Sequence, residues 1–479
     1  MRLLFWLSLI GIVYAYAGYP LAIWALARLR PQRWKVAPLT PSVSIVLAVH
    51  NGAALLAAKL EHLLGLDYPN LKEILVVSDG STDGTAELLG RTHHPLLKPI
   101  LLPEHAGKAV AVNAGLAQAT ADVVLFVDIR PEIGPGSIQR MMENFADPKV
   151  GCVAGQLLLR QAGHDAASTA VGGFYWRYEQ WIRKCESTFD SPVGVYGGFY
   201  AVRRALAVAQ PAGMILDDMF QPLSIIRQGY RSVVDTHACV FDTWPENVAD
   251  EFHRKVRTLA GNFQLIQLAP WTLTLENRTL FQLVSHKLMR LLVPYLMVSL
   301  LVSTLMLAPA SPVFAALAAV QLLAIAVALI GLRTRIPLLH RVAAPFSALL
   351  VLNAAAVMGL YKFLSTRGPL WKIWNTNPAE PTPESVVVVI SRKHQPGPAA
   401  QVGAGKTTRK DTSQRADDGS VATSTKALLL LLLGIGIGMS WLVVRRIGSE
   451  VHGVEALELG TGIRERTGSS PNGGLIHVC

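Results

Sequence analysis

An unbroken apolar run near the amino terminus constrains the fold of this chain more than any other feature. Residues 3–29 are almost all apolar, and the basic residues Arg28, Arg30, Arg33 and Lys35 lie at the end of the run and just beyond it. About 20 apolar residues suffice for a helix to cross a bilayer, and no small-residue cleavage site interrupts this stretch. We therefore predict an uncleaved membrane anchor over residues 1–30. The basic cluster places the following chain in the cytosol.

Three more apolar runs follow a long stretch of mixed composition. Residues 288–307, 312–331 and 343–360 each approach the length that spans a bilayer, and the mean hydropathy of +0.35 is high for a soluble enzyme. Membrane or interfacial helices are therefore predicted over residues 281–362.

The charged residues between these runs limit how many of the runs can cross the membrane. Arg333, Arg335 and Arg341 follow the second run, which places that loop in the cytosol. A third crossing would put Lys362 and the cations after it outside, which the same rule disfavours. One segment is therefore expected to lie in the interface, and residues 283–294 are the best candidate.

The region between the anchor and the later apolar runs, residues 41–276, has the composition of a globular domain. Short apolar runs alternate there with helical patterns: strands at 44–49, 74–77 and 123–127, and helices at 53–64, 85–89 and 108–119. Such alternation is typical of βαβ units and predicts an α/β domain with a parallel sheet.

The remaining features exclude several classes of protein. The four cysteines form no CxxC pair, which argues against a zinc site or a disulfide framework. The net charge is +11, but the basic residues are not interleaved with aromatic residues as they are in an RNA-binding sheet. No nucleic acid partner is therefore predicted. Residues 375–426 have the composition of a disordered linker, 427–446 could form one more membrane helix, and 447–479 form a tail.

Three of the predicted strands end in polar residues. They read SIVLAVHNGA at 44–53, VVSDGSTDGT at 76–85 and LFVDIR at 125–130. The carboxyl ends of neighbouring parallel strands form the ligand crevice of an open α/β sheet. Because these turns carry carboxylates and no GxGxxG, the crevice is expected to hold a nucleotide by its base and ribose, with a metal on its diphosphate as one option.

These motifs resemble the family-2 glycosyltransferases, and in particular the membrane-embedded synthases related to cellulose, hyaluronan and poly-N-acetylglucosamine synthases. The resemblance covers residues 42–268 by motif and the flanking apolar segments by architecture. It implies an α/β fold of the GT-A type, a Rossmann-like nucleotide-diphospho-sugar transferase domain with flanking transmembrane helices.

The resemblance also assigns residues to the donor site. It implies that Asp79 contacts the uracil of a UDP-sugar and that His50 and Asn51 line the pocket that holds the uracil. Asp83 lies in the same turn as Asp79, and Lys108 matches the lysine near the donor.

The match is imperfect where the family has a DxD motif that binds Mg²⁺ or Mn²⁺. Here Asp128 is followed by Ile129 and Arg130, and a guanidinium cannot ligate a cation. Either Asp128 holds the metal with fewer protein ligands, or Arg130 neutralises the pyrophosphate itself. We expect Mg²⁺ or Mn²⁺ at Asp128.

Two later motifs match the parts of the family that bind the acceptor and supply the catalytic base. Gly197 and Gly198 match the acceptor-binding stretch, where glycine lets a sugar approach the backbone. In MILDDMF at 214–220, Asp218 matches the catalytic base of the family's TED motif, and Asp217 occupies its glutamate position. Inversion requires such a carboxylate opposite the departing UDP, to take the proton of the attacking hydroxyl.

The last motif departs further from the family. Processive synthases carry QxxRW, in which the arginine contacts the diphosphate and the tryptophan lies under the acceptor sugar. Arg257 matches that arginine, while Arg254 and Thr258 replace the glutamine and the tryptophan. The missing aromatic residue leaves processivity open, although Trp176, Tyr178 and Trp181 could supply another platform.

Together these features predict an inverting membrane hexosyltransferase. It would use a UDP-sugar at the cytosolic face of the cell membrane, as a multi-pass protein, to extend a polysaccharide or a glycolipid. Single transfer to a lipid carrier, and a non-catalytic GT-A subunit of a synthase complex with partner subunits, are the alternatives.

Overall fold

The computed structural model describes residues 1–160, 166–243, 248–334 and 336–371. The predictions for residues 375–426, 427–446 and 447–479 lie outside the described residues. One mixed sheet forms the centre of residues 43–243, and long apolar helices precede and follow it.

The sheet has eight strands: β1 (Val43–Val49), β2 (Leu71–Asp79), β3 (Leu97–Leu102), β4 (Val123–Val127), β5 (Glu132–Ile133), β6 (Val150–Arg160), β7 (Phe199–Arg203) and β8 (Arg231–Thr243). Their order is β3-β2-β1-β4-β7-β6-β8-β5. Strands β1 to β4 are parallel neighbours, as the alternating pattern predicted. The second half is mixed, because β7 pairs antiparallel to both β4 and β6.

Thirteen helices are numbered in chain order within the described residues: α1 (Arg2–Val13), α2 (Tyr19–Leu29), α3 (Ala53–Leu64), α4 (Thr85–Arg91), α5 (Lys108–Gln118), α6 (Ser137–Glu143), α7 (Ala166–Phe189), α8 (Asp217–Arg227), α9 (Val248–Leu268), α10 (Leu280–Gln282), α11 (Met289–Leu307), α12 (Pro312–Gly331) and α13 (Pro337–Ser365). Leu- and Ala-rich segments without internal glycine or proline, such as α3, favour helix. Strands β1, β2 and β4 are rich in Val, Ile and Leu and are buried on both faces.

Among the described residues, four helical segments are long and apolar enough to cross a membrane: Arg2–Leu29, Leu280–Ala310, Pro312–Gly331 and Val342–Ser365. The second is continuous through α10, a π-helical turn and α11. Its 31 residues measure about 46 Å, more than the hydrocarbon core of about 30 Å. Residues 283–294 belong to the first half of this continuous helix, and their expected place in the interface stays a prediction.

Helix α13 packs lengthwise on the globular domain. Ala354 and Ala355 are buried against Phe252 and other residues of α9. Further along, the rings of Phe263 and Phe363 stack with their centroids 5.8 Å apart. The second half of α13 therefore lies beside the globular domain.

Candidate active site

Strands β1, β2 and β4 end at the same edge of the sheet. His50 follows β1, Asp79 ends β2 and Asp128 follows β4. The parallel register pairs Val49 with Ser78, so the first two strands end side by side. This edge is the crevice at which open α/β sheets bind ligands.

Asp79 is almost fully buried, with 2% of its surface exposed. Its carboxylate accepts backbone hydrogen bonds from Ala106 at 2.8 Å and Gly107 at 2.9 Å, and lies 2.8 Å from Nδ1 of His105. These contacts hold the turn that leads into Lys108, the first residue of α5. Asp79 therefore positions the lysine as well as bordering the crevice.

A cleft of about 740 Å³, part of it open to solvent, lies at this edge. Its lining residues come from six parts of the chain and include His50, Asp79, His105, Gly107, Lys108, Gly213, Met214, Arg257 and Trp371. The rings of His50 and His105 stack with centroids 3.6 Å apart and an interplanar angle of 17°. The edge of Trp371 meets His105 at 4.7 Å between centroids. Flat aromatic surfaces beside a carboxylate suit a nucleobase.

Two glycines leave room for the indole ring of Trp371 in the cleft. A Cβ at Gly107 would lie 3.0 Å from the indole ring, and one at Gly213 would lie 3.1 Å from it. Both glycines also have positive φ, +92° and +79°. Sequence reasoning missed Trp371, His105 and Gly213, because only the fold brings them to the predicted strand ends.

Asn51 and Asp83 hold the polar turns rather than line this cleft. Asn51, at φ +49°, accepts a hydrogen bond from the backbone of Thr82 at 2.8 Å. Asp83 accepts backbone hydrogen bonds from Ala53 at 2.9 Å and Thr85 at 3.1 Å. These bonds brace the turn after β2 against the turn after β1. The donor contacts expected for Asn51 and Asp83 stay predictions.

Lys108 bridges two carboxylates across the site. Its ammonium lies 3.0 Å from Oδ1 of Asp128 and 3.1 Å from Oδ2 of Asp217. Burial opposes the charge on Lys108, but the two aspartates outweigh it and raise the pKa of the lysine above its ordinary value. A permanent cation therefore stands at the junction of β4, α5 and α8.

Asp218 follows Asp217 in the first turn of α8. Burial, and then the negative charge of Asp217, raise the pKa of Asp218 to about 6, while Arg183, Lys108 and Lys287 act in the opposite direction. A carboxylate whose pKa lies near the operating pH is suited to general base catalysis.

The glycine turn predicted to bind the acceptor abuts Asp218. The backbone of Val195 donates to the carbonyl of Asp218 at 2.9 Å, and a Cβ at Gly197 would lie 3.0 Å from Cβ of Asp218. The carbonyl of Gly198 accepts from the backbone of Asp128 at 3.3 Å. The turn thus connects the strand end at Asp128 with Asp218.

Replacement of Gly197 by alanine is expected to lower the turnover number by about 10- to 100-fold, because the new methyl group displaces the Asp218 side chain. Gly90→Ala is the matched control, since a Cβ there meets nothing within 4 Å. Steady-state transfer assays on both purified variants measure the effect. Equal turnover by the two would show that this close approach is unimportant.

The two arginines predicted to face the diphosphate occupy different positions. Arg257 lines the cleft. Arg130 forms an ion pair with Asp242 of β8 at 3.1 Å and is half exposed. Beneath it, Lys59 donates to the carbonyl of Pro131, and burial lowers the pKa of Lys59 to about 8. The turn after β4 is thus supported from α3 and β8.

Asp128 is the residue that the sequence predicts to bind a divalent cation at this edge. Among the residues that the structure describes, no group of three or more His, Cys, Asp or Glu side chains could hold a metal ion. Asp128 is 41% exposed, however, and only its Oδ1 pairs with Lys108. Mg²⁺ commonly takes one or two carboxylates together with substrate phosphate oxygens and water. The donor set fits an ion that arrives with the diphosphate.

Two family models match overlapping parts of the chain. Residues 44–208 match the family described as glycosyl transferase family 2, and residues 128–332 match glycosyl transferase family group 2. Together these matches cover residues 44–332. That range includes all of the strands apart from Val43 at the start of β1, and every candidate site residue except Trp371.

Two curated relatives have names that state an activity. Poly-beta-1,6-N-acetyl-D-glucosamine synthase of Staphylococcus aureus is 28% identical over 233 residues, 47% of this chain and 55% of that protein. N-acetylglucosaminyltransferase of Rhizobium meliloti is 25% identical over 240 residues, 47% of this chain and 56% of that protein. The chain therefore matches only about half the length of these relatives.

One solved structure shares the fold over a longer range. The mannosyltransferase PcManGT from Pyrobaculum calidifontis, in complex with GDP-Man and Mn²⁺, is matched over 76% of this chain and 100% of that chain. The TM-score is 0.56 and the sequence identity 23%. This similarity supports the GT-A fold that the family resemblance implies.

Proposed function

Because the chain belongs to the family-2 glycosyltransferases, we propose that it transfers a sugar from a UDP-sugar to a growing glycan, with inversion at the anomeric carbon. The observation that carries this proposal is the linked set Asp128, Lys108 and Asp217 with Asp218 beside it. A cation for the leaving group and a base for the acceptor are thereby held within one site.

The donor binds with its uracil in the cleft, next to Asp79 and the stacked rings of His50 and His105. Trp371 closes the outer side of the cleft, because its ring packs on the same turn. Lys108 and Arg257 line the same space and supply positive charge to the diphosphate. Fixed cations that face a developing negative charge stabilise the transition state.

The transfer step requires one base and one leaving group. Asp218 removes the proton of the acceptor hydroxyl as its oxygen forms a bond to the anomeric carbon. The bond from that carbon to the UDP oxygen breaks, and the electron pair leaves with UDP. Because attack and departure occur on opposite faces, the anomeric configuration inverts. Asp218 keeps the proton until solvent removes it.

A divalent cation, Mg²⁺ or Mn²⁺, would be held by Asp128 and would supply further charge neutralisation to the diphosphate. Chelation with EDTA is therefore expected to lower transfer by at least about tenfold, and excess Mg²⁺ or Mn²⁺ to restore it. Labelled product formation before and after dialysis measures the change. Full activity in EDTA would assign charge neutralisation to Lys108, Arg130 and Arg257 alone.

The sugar we propose is N-acetylglucosamine, because both curated relatives are named for it. The test is a set of parallel assays of the purified chain in lipid nanodiscs with radiolabelled UDP-N-acetylglucosamine, UDP-glucose and UDP-galactose. Incorporation from the first donor supports the proposal. Incorporation from another donor corrects the sugar, and incorporation from none of the three, with no UDP release, contradicts the function.

We further propose that the catalytic domain lies at the cytosolic face of the cell membrane. The domain follows the Arg2–Leu29 helix and its basic flank. Trp371 reaches the donor cleft only a few residues after α13 ends, so both ends of the later helical region are on the domain's side. Packing of α13 on α9 supports α13, rather than residues 283–294, as the segment in the interface.

With α13 in the interface, the other three apolar helical segments would cross the membrane. These crossings and the presence of Asp218 favour extension of a polysaccharide or glycolipid over the role of a non-catalytic subunit. A degenerate domain has no need of a lysine that bridges Asp128 and Asp217. Thr258 at the tryptophan position leaves single transfer to a lipid carrier as the alternative. The length distribution of the labelled product, resolved by gel filtration, distinguishes polymer from single addition.

A further inference from the structure

A cluster of buried charged side chains joins the membrane helices to the catalytic domain. Helix α7 contributes Glu179, Arg183 and Glu186, the N-terminal helix contributes Tyr19, and the helix Leu280–Ala310 contributes His286, Lys287 and Arg290. We call these seven residues the junction cluster. Both glutamates are at most 5% exposed.

Glu179 is the centre of the junction cluster. Its carboxylate lies 2.8 Å from Nζ of Lys287, 2.6 Å from Nη1 of Arg290 and 3.0 Å from Nε2 of His286. Nε of Arg183, one turn along α7, is 3.8 Å away. A single carboxylate therefore gathers cations from two helices.

Glu186 completes the contact with the membrane helices. Tyr19 donates to its Oε1 at 2.5 Å, and Nδ1 of His286 lies 2.8 Å from the same oxygen. His286 thus stands between two carboxylates, and α7 is tied to both membrane segments.

The junction cluster connects directly to the catalytic base. Helix α7 ends at Phe189, and the chain continues into the turn that contains Gly197. Arg183 lines a small cleft together with Val195 and Tyr196 of that turn. The backbone of Val195 is in turn hydrogen-bonded to Asp218. A shift of Arg183 or of α7 therefore reaches the acceptor side of the base.

Stability alone does not account for such a cluster. Buried ion pairs can often be replaced by well-packed apolar residues without loss of stability. The cluster instead fixes several charges on two helices, and one of them, Arg183, borders the turn that is hydrogen-bonded to the backbone of Asp218.

We propose that Glu179 is a positioning residue for the transfer reaction, which holds Arg183 and Lys287 and thereby sets the charge that surrounds Asp218. This inference rests on the proposed function. It assigns to the junction between membrane and domain a role in the chemistry as well as in attachment.

The expected sign follows from the groups whose charges act on Asp218. These are Asp217 on its own helix, Arg183 on α7, Lys108 on α5 and Lys287 on the helix Leu280–Ala310. Tyr200 of β7 also interacts with Asp218. Removal of the negative charge of Glu179 leaves the cations less compensated, which favours the ionised form of Asp218. Removal of a cation has the opposite effect.

The test is the pH dependence of kcat for Glu179→Gln in the full chain in nanodiscs, with labelled UDP-N-acetylglucosamine. The acid limb is expected to move to lower pH by about one unit, with a smaller kcat at the plateau and an unchanged KM for the donor. Glu179→Asp is expected to restore most of the plateau rate. Should Glu179→Gln fail to fold, Lys287→Met is the second variant, and its acid limb is expected to move to higher pH.

Glu73→Gln is the matched control. Glu73 is also fully buried and paired with a lysine, Lys98, but it lies near the start of β2, about 20 Å along the strand from Asp79. An acid limb that moves in the junction variants and not in Glu73→Gln supports the proposal. If the acid limb stays in place in the folded junction variants, the proposal for Glu179 is overturned and the proposed function stands. If the wild-type chain shows no sugar transfer, the proposed function itself is contradicted.

Discussion

Replacement of Asp218 by asparagine is expected to lower sugar transfer by about 10²- to 10⁴-fold, the usual contribution of a general base. Asparagine keeps the shape of the side chain and its contact with Gly197, but it cannot accept the acceptor proton. The donor cleft is lined by other residues, so UDP affinity should stay within about twofold.

Two measurements check this prediction in the same preparation. Labelled sugar transfer reports the chemistry, and isothermal titration with UDP reports the donor site. Asp67→Asn, at an exposed aspartate, is the control for the substitution itself. Wild-type turnover in the Asp218 variant would remove this residue from the mechanism.

The wild-type rate should also depend on pH with a defined sign. Asp218 acts only when ionised, and its pKa is raised to about 6. Transfer should therefore fall about tenfold per unit as the pH drops below 6. This fall in rate at acidic pH, the acid limb of the profile, should be absent from the residual activity of Asp218→Asn. A residual rate that keeps the same limb would assign the titration to another group.

Replacement of Lys108 by methionine is expected to lower kcat/KM by about 10²- to 10³-fold, as for loss of one fixed group that stabilises transition-state charge. The change removes the cation between Asp128 and Asp217 and leaves their carboxylates facing each other without it. Mutual repulsion and loss of a diphosphate contact should both weaken donor binding.

Lys72→Met is the control for this variant, because Lys72 is an exposed residue of β2. Steady-state kinetics with varied donor should show a raised KM together with a lowered kcat. Lys108→Arg should recover part of the rate, since it keeps the charge in a bulkier group. Donor kinetics like those of wild type would exclude Lys108 from the site.

The parts of the fold that depend on local pattern could be read from the sequence. The run at 53–64 was expected to be helical and coincides with α3, and the apolar run at 123–127 coincides with β4. Polar residues at the ends of β1, β2 and β4 indicated the crevice, because parallel strands bring their carboxyl ends together.

Long-range pairing could not be read in the same way. Strand β7 inserts antiparallel between β4 and β6, and nothing in its five residues specifies a direction. Trp371 meets His105 across more than 260 positions of chain. The charge pattern predicts that one apolar segment does not cross the membrane, and the packing of α13 on α9 is a contact that the sequence alone did not indicate.

Glu179 illustrates a further limit of sequence reasoning. A glutamate in FYWRYEQWIRK, at 174–184, reads as an ordinary helix surface residue. Its burial arises because Lys287 and Arg290 approach from a helix about 100 residues later. Charges that are neutralised across such a distance leave no local pattern.

The most direct test of the account is a cryo-EM structure of the Asp218→Asn chain in nanodiscs with UDP-N-acetylglucosamine and Mg²⁺. The predicted result places uracil beside Asp79 and the stacked imidazoles, a diphosphate oxygen within hydrogen-bond distance of Lys108, and the anomeric carbon facing position 218. A donor bound away from Asp79, or a sugar out of reach of position 218, would contradict the central claim that these strand ends and the start of α8 form one transferase site.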